Sequence, residues 1–348
     1  MNRKYISRRT FMLRLAGLTV MGTAGSSLVL QACSQQPAAP ASPTSLPGST
    51  ALYTYHGHSG AVYAVAWNPV WGTGMPDGKR IASGGNDGTV QVWDAADGSH
   101  VFTYHGHSDV VEALAWSPDG KRIASGSRDQ TVQVWNAIDG SRVFTYRGHS
   151  NIVKAVAWSP DSKRIASGTT DGAVQVWDAA GGGHAFTYRG HSNIVRAVAW
   201  SPDSKRIASG SYDGTVQVWD ATGGGHVFTY RGHFFGVNAV AWSPDSKRIA
   251  SGITDGTVQV WDATGGGHVF TYRGHSNVVL SVAWSPDNKR IASAGDDNTA
   301  QVWDAADGGH VFTYRGHSDV VEALAWSPDG KRIASASDDN TVQVWVAT

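Results

Sequence analysis

A pattern of seven similar segments runs from residue 51 to the end of the sequence, and this repetition restricts the possible folds more than any other feature. Gly-His pairs begin at Gly57, and the next six follow after an interval of 49 residues and then at intervals of 42. A tryptophan closes each segment 28 residues after the histidine, or 35 residues after it in the first segment, which has an insertion around Val70 to Pro76. A period of this length indicates one supersecondary unit per segment, and each unit must stack on its neighbours to bury its apolar surface.

Within each segment, apolar and polar residues alternate over short stretches that are separated by turn residues. The third segment reads VKAVAW, RIASG, AVQVW and HAFTY, with SPDSK, Asp171-Gly172 and DAAGGG between them. A period of two that is bounded by Gly, Pro, Asp and Ser predicts four short strands with tight connections, and no stretch has helical spacing. The sequence therefore predicts an all-β fold that is built from four-stranded antiparallel units.

The Gly-His pair of all seven copies and the Trp-Asp pair of five of them resemble the WD40 repeat, across residues 51–348; Asn136 and Val346 replace the Asp in the other two. The resemblance implies a seven-bladed β-propeller, in which each four-stranded antiparallel repeat is one blade of a closed ring. The last repeat ends after its third strand, whereas Ala51 to Tyr55 (ALYTY) matches the fourth strand of the other repeats. We therefore expect the N-terminal strand to complete the last blade and close a monomeric ring, which covers two strand edges.

Each repeat carries a His, a Ser, an Asp and a Trp at matched positions, here called the tetrad. The WD40 resemblance implies that they form a hydrogen-bonded chain from Trp through Ser and His to Asp, which joins the strands of a blade. Ser, His and Asp also occur together in hydrolases, but an enzyme has one special site rather than seven equal ones, so we expect no enzyme activity, no cofactor and no metal site. The tetrads are His58, Ser83, Asp87 and Trp93; His107, Ser125, Asp129 and Trp135; His149, Ser167, Asp171 and Trp177; His191, Ser209, Asp213 and Trp219; His233, Ser251, Asp255 and Trp261; His275, Ser293, Asp297 and Trp303; and His317, Ser335, Asp339 and Trp345.

Because the repeats are nearly identical, the positions at which they differ stand out, and these cluster at two places in each repeat. One place lies just after the Gly-His pair, and the other immediately precedes the tetrad Asp. In propellers of the WD40 family both map to the top face, near the mouth of the central channel, and loops on a rigid scaffold commonly carry recognition. We therefore expect a protein or peptide to bind there; the alternatives are a glycan or small ligand on the same face, a propeller hydrolase, and neutral drift at exposed positions. The predicted binding residues are Tyr63, Glu112, Ile152, Lys154, Ile194, Arg196, Phe234, Phe235, Asn238, Leu280 and Glu322 at the first place, and Asn86, Arg128, Thr170, Tyr212, Thr254, Asp296 and Asp338 at the second.

Two features indicate that these differences are functional. Phe234 and Phe235 replace the Ser-Asn or Ser-Asp of most repeats, and exposed apolar groups of this kind mark interaction sites. Lys154 and Arg196 belong to adjacent blades, whereas Glu322 and two aspartates belong to the seventh blade. We therefore expect a basic and apolar arc that faces an acidic arc across the channel mouth.

The first fifty residues differ in composition from the repeats and are typical of a targeting segment followed by a tether. Residues 1–32 contain five basic residues and no acidic one, and an apolar stretch from about Leu15 to Leu30 follows the basic start, as in a signal peptide. Residues 7–12 (SRRTFM) resemble the twin-arginine export motif, and residues 30–33 (LQAC) resemble the lipobox of bacterial lipoproteins, in which Cys33 is lipidated. An uncleaved membrane anchor is the alternative.

We expect a twin-arginine lipoprotein signal peptide over residues 1–32 and a disordered Pro/Ala/Ser-rich tether over residues 33–50. The protein is then exported and held by its lipid anchor on the outer side of a bacterial cytoplasmic membrane, or in the periplasm or outer membrane of a two-membrane cell. After residue 32 the chain has 23 basic and 28 acidic residues, and proteins that bind nucleic acid usually carry a basic patch. The sequence therefore predicts no nucleic-acid partner.

Two features lie outside the predicted top face. A Lys-Arg pair recurs in every repeat, from Lys79-Arg80 to Lys331-Arg332, always shortly after an Asp. This spacing predicts a solvated hairpin turn rather than a lipid-binding collar. Trp71, in the insertion of the first repeat, either anchors a partner or folds back on the bottom of its blade.

Overall fold

The alternating stretches of every repeat form strands in the computed structural model, which describes residues 50–69 and 79–347. Within these residues, 28 strands build seven four-stranded antiparallel sheets. The predicted signal peptide, Cys33, nearly all of the predicted tether and Trp71 lie outside the described residues. Within the described part of the chain, no helix is long and apolar enough to cross a membrane.

Each blade has four strands in sequence order, and the first strand of every blade borders the central channel. The first strands are β2 (Val62–Trp67), β6 (Val111–Trp116), β10 (Val153–Trp158), β14 (Val195–Trp200), β18 (Val237–Trp242), β22 (Val279–Trp284) and β26 (Val321–Trp326). The second strands are β3 (Arg80–Gly85), β7 (Arg122–Ser127), β11 (Arg164–Thr169), β15 (Arg206–Ser211), β19 (Arg248–Ile253), β23 (Arg290–Gly295) and β27 (Arg332–Ser337). The third strands are β4 (Val90–Asp94), β8 (Val132–Asn136), β12 (Val174–Asp178), β16 (Val216–Asp220), β20 (Val258–Asp262), β24 (Ala300–Asp304) and β28 (Val342–Val346). The fourth strands are β5 (His100–Tyr104), β9 (Arg142–Tyr146), β13 (His184–Tyr188), β17 (His226–Tyr230), β21 (His268–Tyr272), β25 (His310–Tyr314) and, for blade seven, β1 (Tyr53–Tyr55).

The first strands of neighbouring blades contact one another in an unbroken cycle, in which β26 of blade seven meets β2 of blade one. The predicted closure of the ring is confirmed, because β1 pairs with β28 and completes the sheet β1-β28-β27-β26. On blade one, the Tyr55 ring stacks on Trp93 with their centroids 4.7 Å apart, and its hydroxyl donates to Gln91 at 2.7 Å. The N-terminal strand therefore completes blade seven and also packs against blade one.

The hydrophobic core lies between the blades, as expected for units that cannot bury both faces alone. Each of seven similar clusters joins residues of adjacent blades; the cluster between blades seven and one contains Val62, Ile81, Trp93 and Val342, all inaccessible to solvent. In blades two to seven, the tryptophan that ends the first strand extends this contact with a hydrogen bond to the preceding blade. In blade four, for example, Trp200 Nε1 donates to the carbonyl of Ala157 in blade three at 3.2 Å.

The Lys-Arg pairs have a structural role that the prediction of a solvated turn missed. The lysines are exposed, but each arginine is partly buried and donates from Nη1 to an alanine carbonyl of the next blade. Arg206 reaches Ala263 at 3.0 Å, and Arg332 reaches Ala95 at 3.4 Å across the closure of the ring. All seven arginines make the equivalent bond. The prediction was therefore correct for the lysines and wrong for the arginines, which join the blades.

Candidate functional site

The tetrads are buried hydrogen-bonded chains inside the blades. In blade four, Trp219 Nε1 donates to Ser209 Oγ at 3.3 Å, Ser209 Oγ lies 2.8 Å from His191 Nε2, and His191 Nδ1 lies 2.9 Å from Asp213 Oδ2. A carboxylate only accepts, so the imidazole proton is on Nδ1, and Nε2 accepts from the serine hydroxyl. The Trp–Ser and Ser–His links are present in all seven blades.

The last link of the chain is present in only five blades, whereas the resemblance implied it for all seven. Blades one, two, four, six and seven have the His–Asp bond at 2.8 to 3.0 Å. In blades three and five, Nδ1 of His149 and of His233 is buried and has no partner within the described residues. Asp171 and Asp255 are exposed instead. Burial accordingly lowers the pKa of both histidines to about 4.

Blades three and five share a sequence feature two positions before the tetrad Asp. They have β-branched residues there, Thr169 and Ile253, whereas the other five blades have Gly or Ser. In blade four the corresponding Ser211 Oγ accepts from the backbone N–H of Asp213 at 3.1 Å. The Thr169 hydroxyl donates instead to the carboxylate of Asp171. Ile253 offers no acceptor, but neither do Gly85 and Gly295 of blades one and six, which keep the His–Asp bond, so the shared difference is the β-branched side chain. The residue at this position therefore correlates with the orientation of the tetrad Asp.

The tetrads are unsuitable as catalytic sites, because no substrate can reach their hydroxyl groups. All seven tetrad serines are inaccessible to solvent, whereas nucleophilic catalysis needs a hydroxyl that contacts the substrate. Within residues 50–69 and 79–347, no group of three or more His, Cys, Asp or Glu side chains could hold a metal ion. The charged and polar side chains that a ligand could reach line the central channel instead.

Seven of the predicted binding residues occupy one structural position, the second residue of each first strand. In every blade this residue lies at a register shift between the first and second strands, of the kind that a β-bulge produces. A bulge changes the direction of the side chain, and all seven side chains line a central cavity of about 480 Å³. They are Tyr63, Glu112, Lys154, Arg196, Asn238, Leu280 and Glu322. Arg128 is the one residue of the second predicted set that also lines this cavity.

One side of the channel wall holds a partly buried ion cluster. Glu112 Oε1 accepts from Lys154 Nζ of the next blade and from Arg128 Nε of its own blade, both at 2.5 Å. Burial opposes ionisation of Glu112, but the two cations outweigh it and hold the pKa of its carboxyl below the usual value. Burial likewise lowers the pKa of Lys154, against the favourable field of Glu112. Lys154 is thus paired with Glu112 inside the channel, whereas the prediction placed it in a basic arc at the rim; the cluster of two cations and one carboxylate still carries a net positive charge.

The opposite side of the wall is acidic. Glu322 is partly buried and has no hydrogen bond within the described residues; burial and Asp338 raise the pKa of its carboxyl to about 7. Burial and the nearby Asp319 and Asp296 raise the pKa of Asp338 to about 6. The acidic arc was predicted on blade seven; Asp296 of blade six also contributes to its field, and the raised pKa values mean that part of the arc is protonated near neutral pH.

The remaining predicted residues lie around the channel mouth, where the loop after Gly-His meets the turn before the tetrad Asp. Backbone bonds join the two segments, as Tyr212 N donates to Ile194 O at 3.0 Å. Among the aromatic residues, Phe234 is 96% exposed, Phe235 55% and Tyr212 40%. Ile152 and Ile194 are half-buried, as are Thr170 and Asp296, whereas Asn86 and Thr254 are exposed.

Sequence reasoning missed a second polar chain that runs beside each tetrad. The tyrosine that ends each fourth strand donates to a glutamine of the next blade, as Tyr188 does to Gln217. In every blade but blade five, the glutamine side chain in turn donates to the carbonyl of the Gly-His glycine, as Gln217 does to Gly190 at 3.0 Å. The repetition of Tyr and Gln in all seven repeats was the available signal.

A comparison with protein families agrees with this architecture. The family model described as WD domain, G-beta repeat, matches the chain in seven segments. They cover residues 49–94, 98–136, 140–178, 182–220, 224–262, 266–304 and 308–346. No curated protein matches the chain.

Proposed function

The chain belongs to the WD40-repeat family, whose propellers typically serve as protein-interaction scaffolds and are generally not catalytic, and we propose that it binds a protein or peptide through its top face. The top face is the end of the ring that carries the loops after Gly-His and the turns before the tetrad Asp. We further propose that the ring is tethered outside the cytoplasmic membrane through Cys33. This part of the proposal is supported by residues 1–50 of the sequence, with their twin-arginine and lipobox motifs.

The observation that carries the proposal is the variation at the bulged position of each first strand. The residue before this position is Val in all seven blades, and the residue after it is Ala in six of them and Ser in the other. The bulged residue itself is Tyr, Glu, Lys, Arg, Asn, Leu or Glu, in blade order. All seven line one cavity that opens at the channel mouth. Variation at a position that lines a shared cavity, between neighbours that stay nearly constant, supports recognition at the channel.

The aromatic residues of blades four and five supply the second support. Phe234, Phe235 and Tyr212 are exposed and adjacent to the channel mouth. Large apolar groups in water are unfavourable, and aromatic residues frequently dominate the binding energy of protein interfaces. These three residues therefore suit the centre of a partner interface.

The proposal is tested by capture of membrane and envelope proteins on the immobilised full chain, followed by binding kinetics with the captured partner. Phe235→Ala and Tyr212→Ala should raise the dissociation rate at least tenfold, because truncated hot-spot residues cost about 2 kcal/mol or more. Val227→Ala, an exposed change on a fourth strand (41% exposed), is the matched control and should bind like the parent. Loss of binding on Trp71→Ala alone, with the top-face variants unaffected, would assign binding to the insertion and refute the top face.

A further inference from the structure

Blade five holds its top loop differently from the blades with a complete tetrad. In those five blades the backbone N–H that follows the tetrad His donates to the tetrad Asp, as Ser192 does to Asp213 at 3.1 Å. Phe234 occupies this position in blade five, and Asp255 bonds only to Thr257 within the described residues. The loop of residues 233–236 thus lacks two anchors: the His–Asp bond and the backbone bond to the Asp.

A third anchor is also absent from blade five. In the six other blades a glutamine side chain donates to the carbonyl of the Gly-His glycine; Gln175 of blade three still reaches Gly148 at 3.2 Å. In blade five the side chain of Gln259 accepts from the Tyr230 hydroxyl at 3.0 Å, but within the described residues it does not donate to the glycine carbonyl. Within the described residues, blade five alone has lost all three anchors, and it is the blade that carries the exposed aromatic pair.

The two ends of the loop are nevertheless held. His233 Nε2 lies 2.9 Å from the hydroxyl of Ser251. At the other end, the backbone N–H and the hydroxyl of Thr254 donate to the carbonyl of Gly236 at 3.0 and 2.9 Å. Between these two ends lie Phe234 and Phe235, which have none of the three anchors and are both exposed.

The surface beside this loop is aromatic and carries an unpaired cation. Tyr212 lies against Gly236, where an added Cβ would come within 2.7 Å of the tyrosine ring. The guanidinium of Arg196 lies over the ring of Tyr212, with its Cζ atom 5.4 Å from the ring centroid. Within the described residues Arg196 has no ion pair, whereas the neighbouring Lys154 is paired with Glu112. Arg196 is thus available for a carboxylate of the partner.

Resting on the proposed function, we propose that Phe234 and Phe235 form an adjustable arm that closes on an apolar side chain of the partner, against Tyr212, while a carboxylate adjacent to that side chain in the partner pairs with Arg196. The charge of Arg196 selects an acidic flanking residue and disfavours a basic one. The missing anchors let the arm adapt to the partner, since no bond to the tetrad has to break. The partner segment is therefore an apolar residue next to Asp or Glu.

Exchange of individual backbone amides in the free full chain tests the arm. Phe234 N–H should exchange roughly tenfold or more faster than Ser192 N–H, its equivalent in blade four, which has a bond to the tetrad Asp. Ile253→Ser, which installs the blade-four residue, should slow exchange at Phe234 and raise the pKa of His233 above its value of about 4. Ser211→Ile should speed exchange at Ser192. Equal exchange in the parent, or no response to either variant, would overturn the adjustable arm.

Three short probes test the chemistry of the partner segment. Acetyl-Phe-Asp-amide should bind the full chain more tightly than acetyl-Phe-Lys-amide, which reverses the charge, or acetyl-Ser-Asp-amide, which lacks the apolar group. Arg196→Gln should abolish the preference for the Asp probe over the Lys probe. Phe235→Asn, which installs the residue that blade four has at this position, should weaken the binding of both Phe-containing probes. Equal binding of the Asp and Lys probes would overturn the assignment of Arg196, and concentration-dependent dimerisation through Phe234 would assign the arm to a second copy of the chain.

These outcomes are distinguishable from failure of the proposed function. If partner capture requires the top face but the probes do not discriminate, the proposed function stands and the arm is wrong. If Phe234 exchanges fast and the probes discriminate but no partner depends on the top face, the arm is a correct description of a small-ligand site and protein binding is refuted.

Discussion

Glu112 and Glu322 occupy the same position in identical strands, VEALAW, of blades two and seven, yet their replacement by Gln should have opposite effects on stability. Glu112 accepts from Lys154 and Arg128 at 2.5 Å. Glu322 instead is near Asp338, and burial together with that carboxylate raises its pKa to about 7. At pH 8 we therefore expect Glu322→Gln to stabilise the fold and Glu112→Gln to destabilise it.

The magnitude for Glu322 follows from the difference between its ordinary pKa of 4.5 and its value of about 7 in the fold. The folded protein binds this proton more tightly than the unfolded chain does, so the stability that is present below the ordinary pKa is lost as pH rises through about 7. The full shift corresponds to roughly 3 kcal/mol at about 1.4 kcal/mol per pKa unit. Glu322 lines an open channel, and solvent in such a channel screens part of this energy, so we expect Glu322→Gln to gain about 1–2 kcal/mol at pH 8, and less than half of that at pH 5.

For Glu112 the sign is reversed. Its pKa lies below the usual value, so its contribution is present above the ordinary pKa of a glutamate and is lost as pH falls. Glu112→Gln should cost about 1–3 kcal/mol at pH 8, because Lys154 and Arg128 lose a shared carboxylate in a partly buried site.

Chemical denaturation of the parent and both variants at pH 5 and pH 8 measures these differences. Other titrating groups are common to all three proteins and largely cancel in the comparison. Destabilisation by both variants at pH 8, or a gain for Glu322→Gln that is equal at both pH values, would refute the placement of Glu322 in an acidic wall.

Five further predictions concern stability and processing. Deletion of Ala51 to Tyr55 should lower the melting temperature by several degrees through two exposed strand edges, whereas deletion of residues 34–50 should not; equal melting temperatures would contradict the role of β1. Trp219→Ala should cost about 3–5 kcal/mol of unfolding free energy through its cavity, and Arg206→Met about 1–2 kcal/mol through the lost bond to blade five; denaturation of each variant checks both values. Gln130 has a positive φ of 68° where blades one, three, four and five have Gly, so Gln130→Gly should raise stability by about 0.5–1 kcal/mol. Cys33→Ala should abolish acylation in a bacterial host, and an unchanged mature mass would argue against a lipoprotein.

The architecture could be predicted because seven copies repeat the same local information. Alternation, turn residues and the 42-residue period all indicated four-stranded units, and the match of ALYTY to HVFTY located the strand that closes the ring. The hydrogen bonds between blades were harder to predict from the sequence. A Lys-Arg pair in a hairpin turn is normally solvated, and only the packing of neighbouring blades brings Arg206 within 3.0 Å of Ala263.

The charges of the channel could be sorted by blade from the sequence, but their pairing could not be predicted. Glu112 and Glu322 have the same neighbours along the chain, and their environments differ only through the residue at the adjacent turn and the first strand of the next blade. Arg128 and Lys154 supply cations to Glu112, whereas Asp338 supplies a negative charge to Glu322. A pKa depends on such spatial neighbours, so the packing within and between blades had to be known before either direction could be assigned.

Near-identical repeats make each deviation interpretable, because the other blades serve as internal references for it. Blades three and five have a β-branched residue two positions before the tetrad Asp, Thr169 and Ile253, and both blades lack the His–Asp bond. Only blade five adds exposed aromatic residues and the loss of the Gln259 anchor. Blade three thus has the weakened tetrad without the aromatic pair, and its Thr169→Ser variant separates the two effects. If that change restores the bond to His149 and stabilises the fold while partner binding is unchanged, recognition depends on the side chains of blade five rather than on weakened tetrads in general.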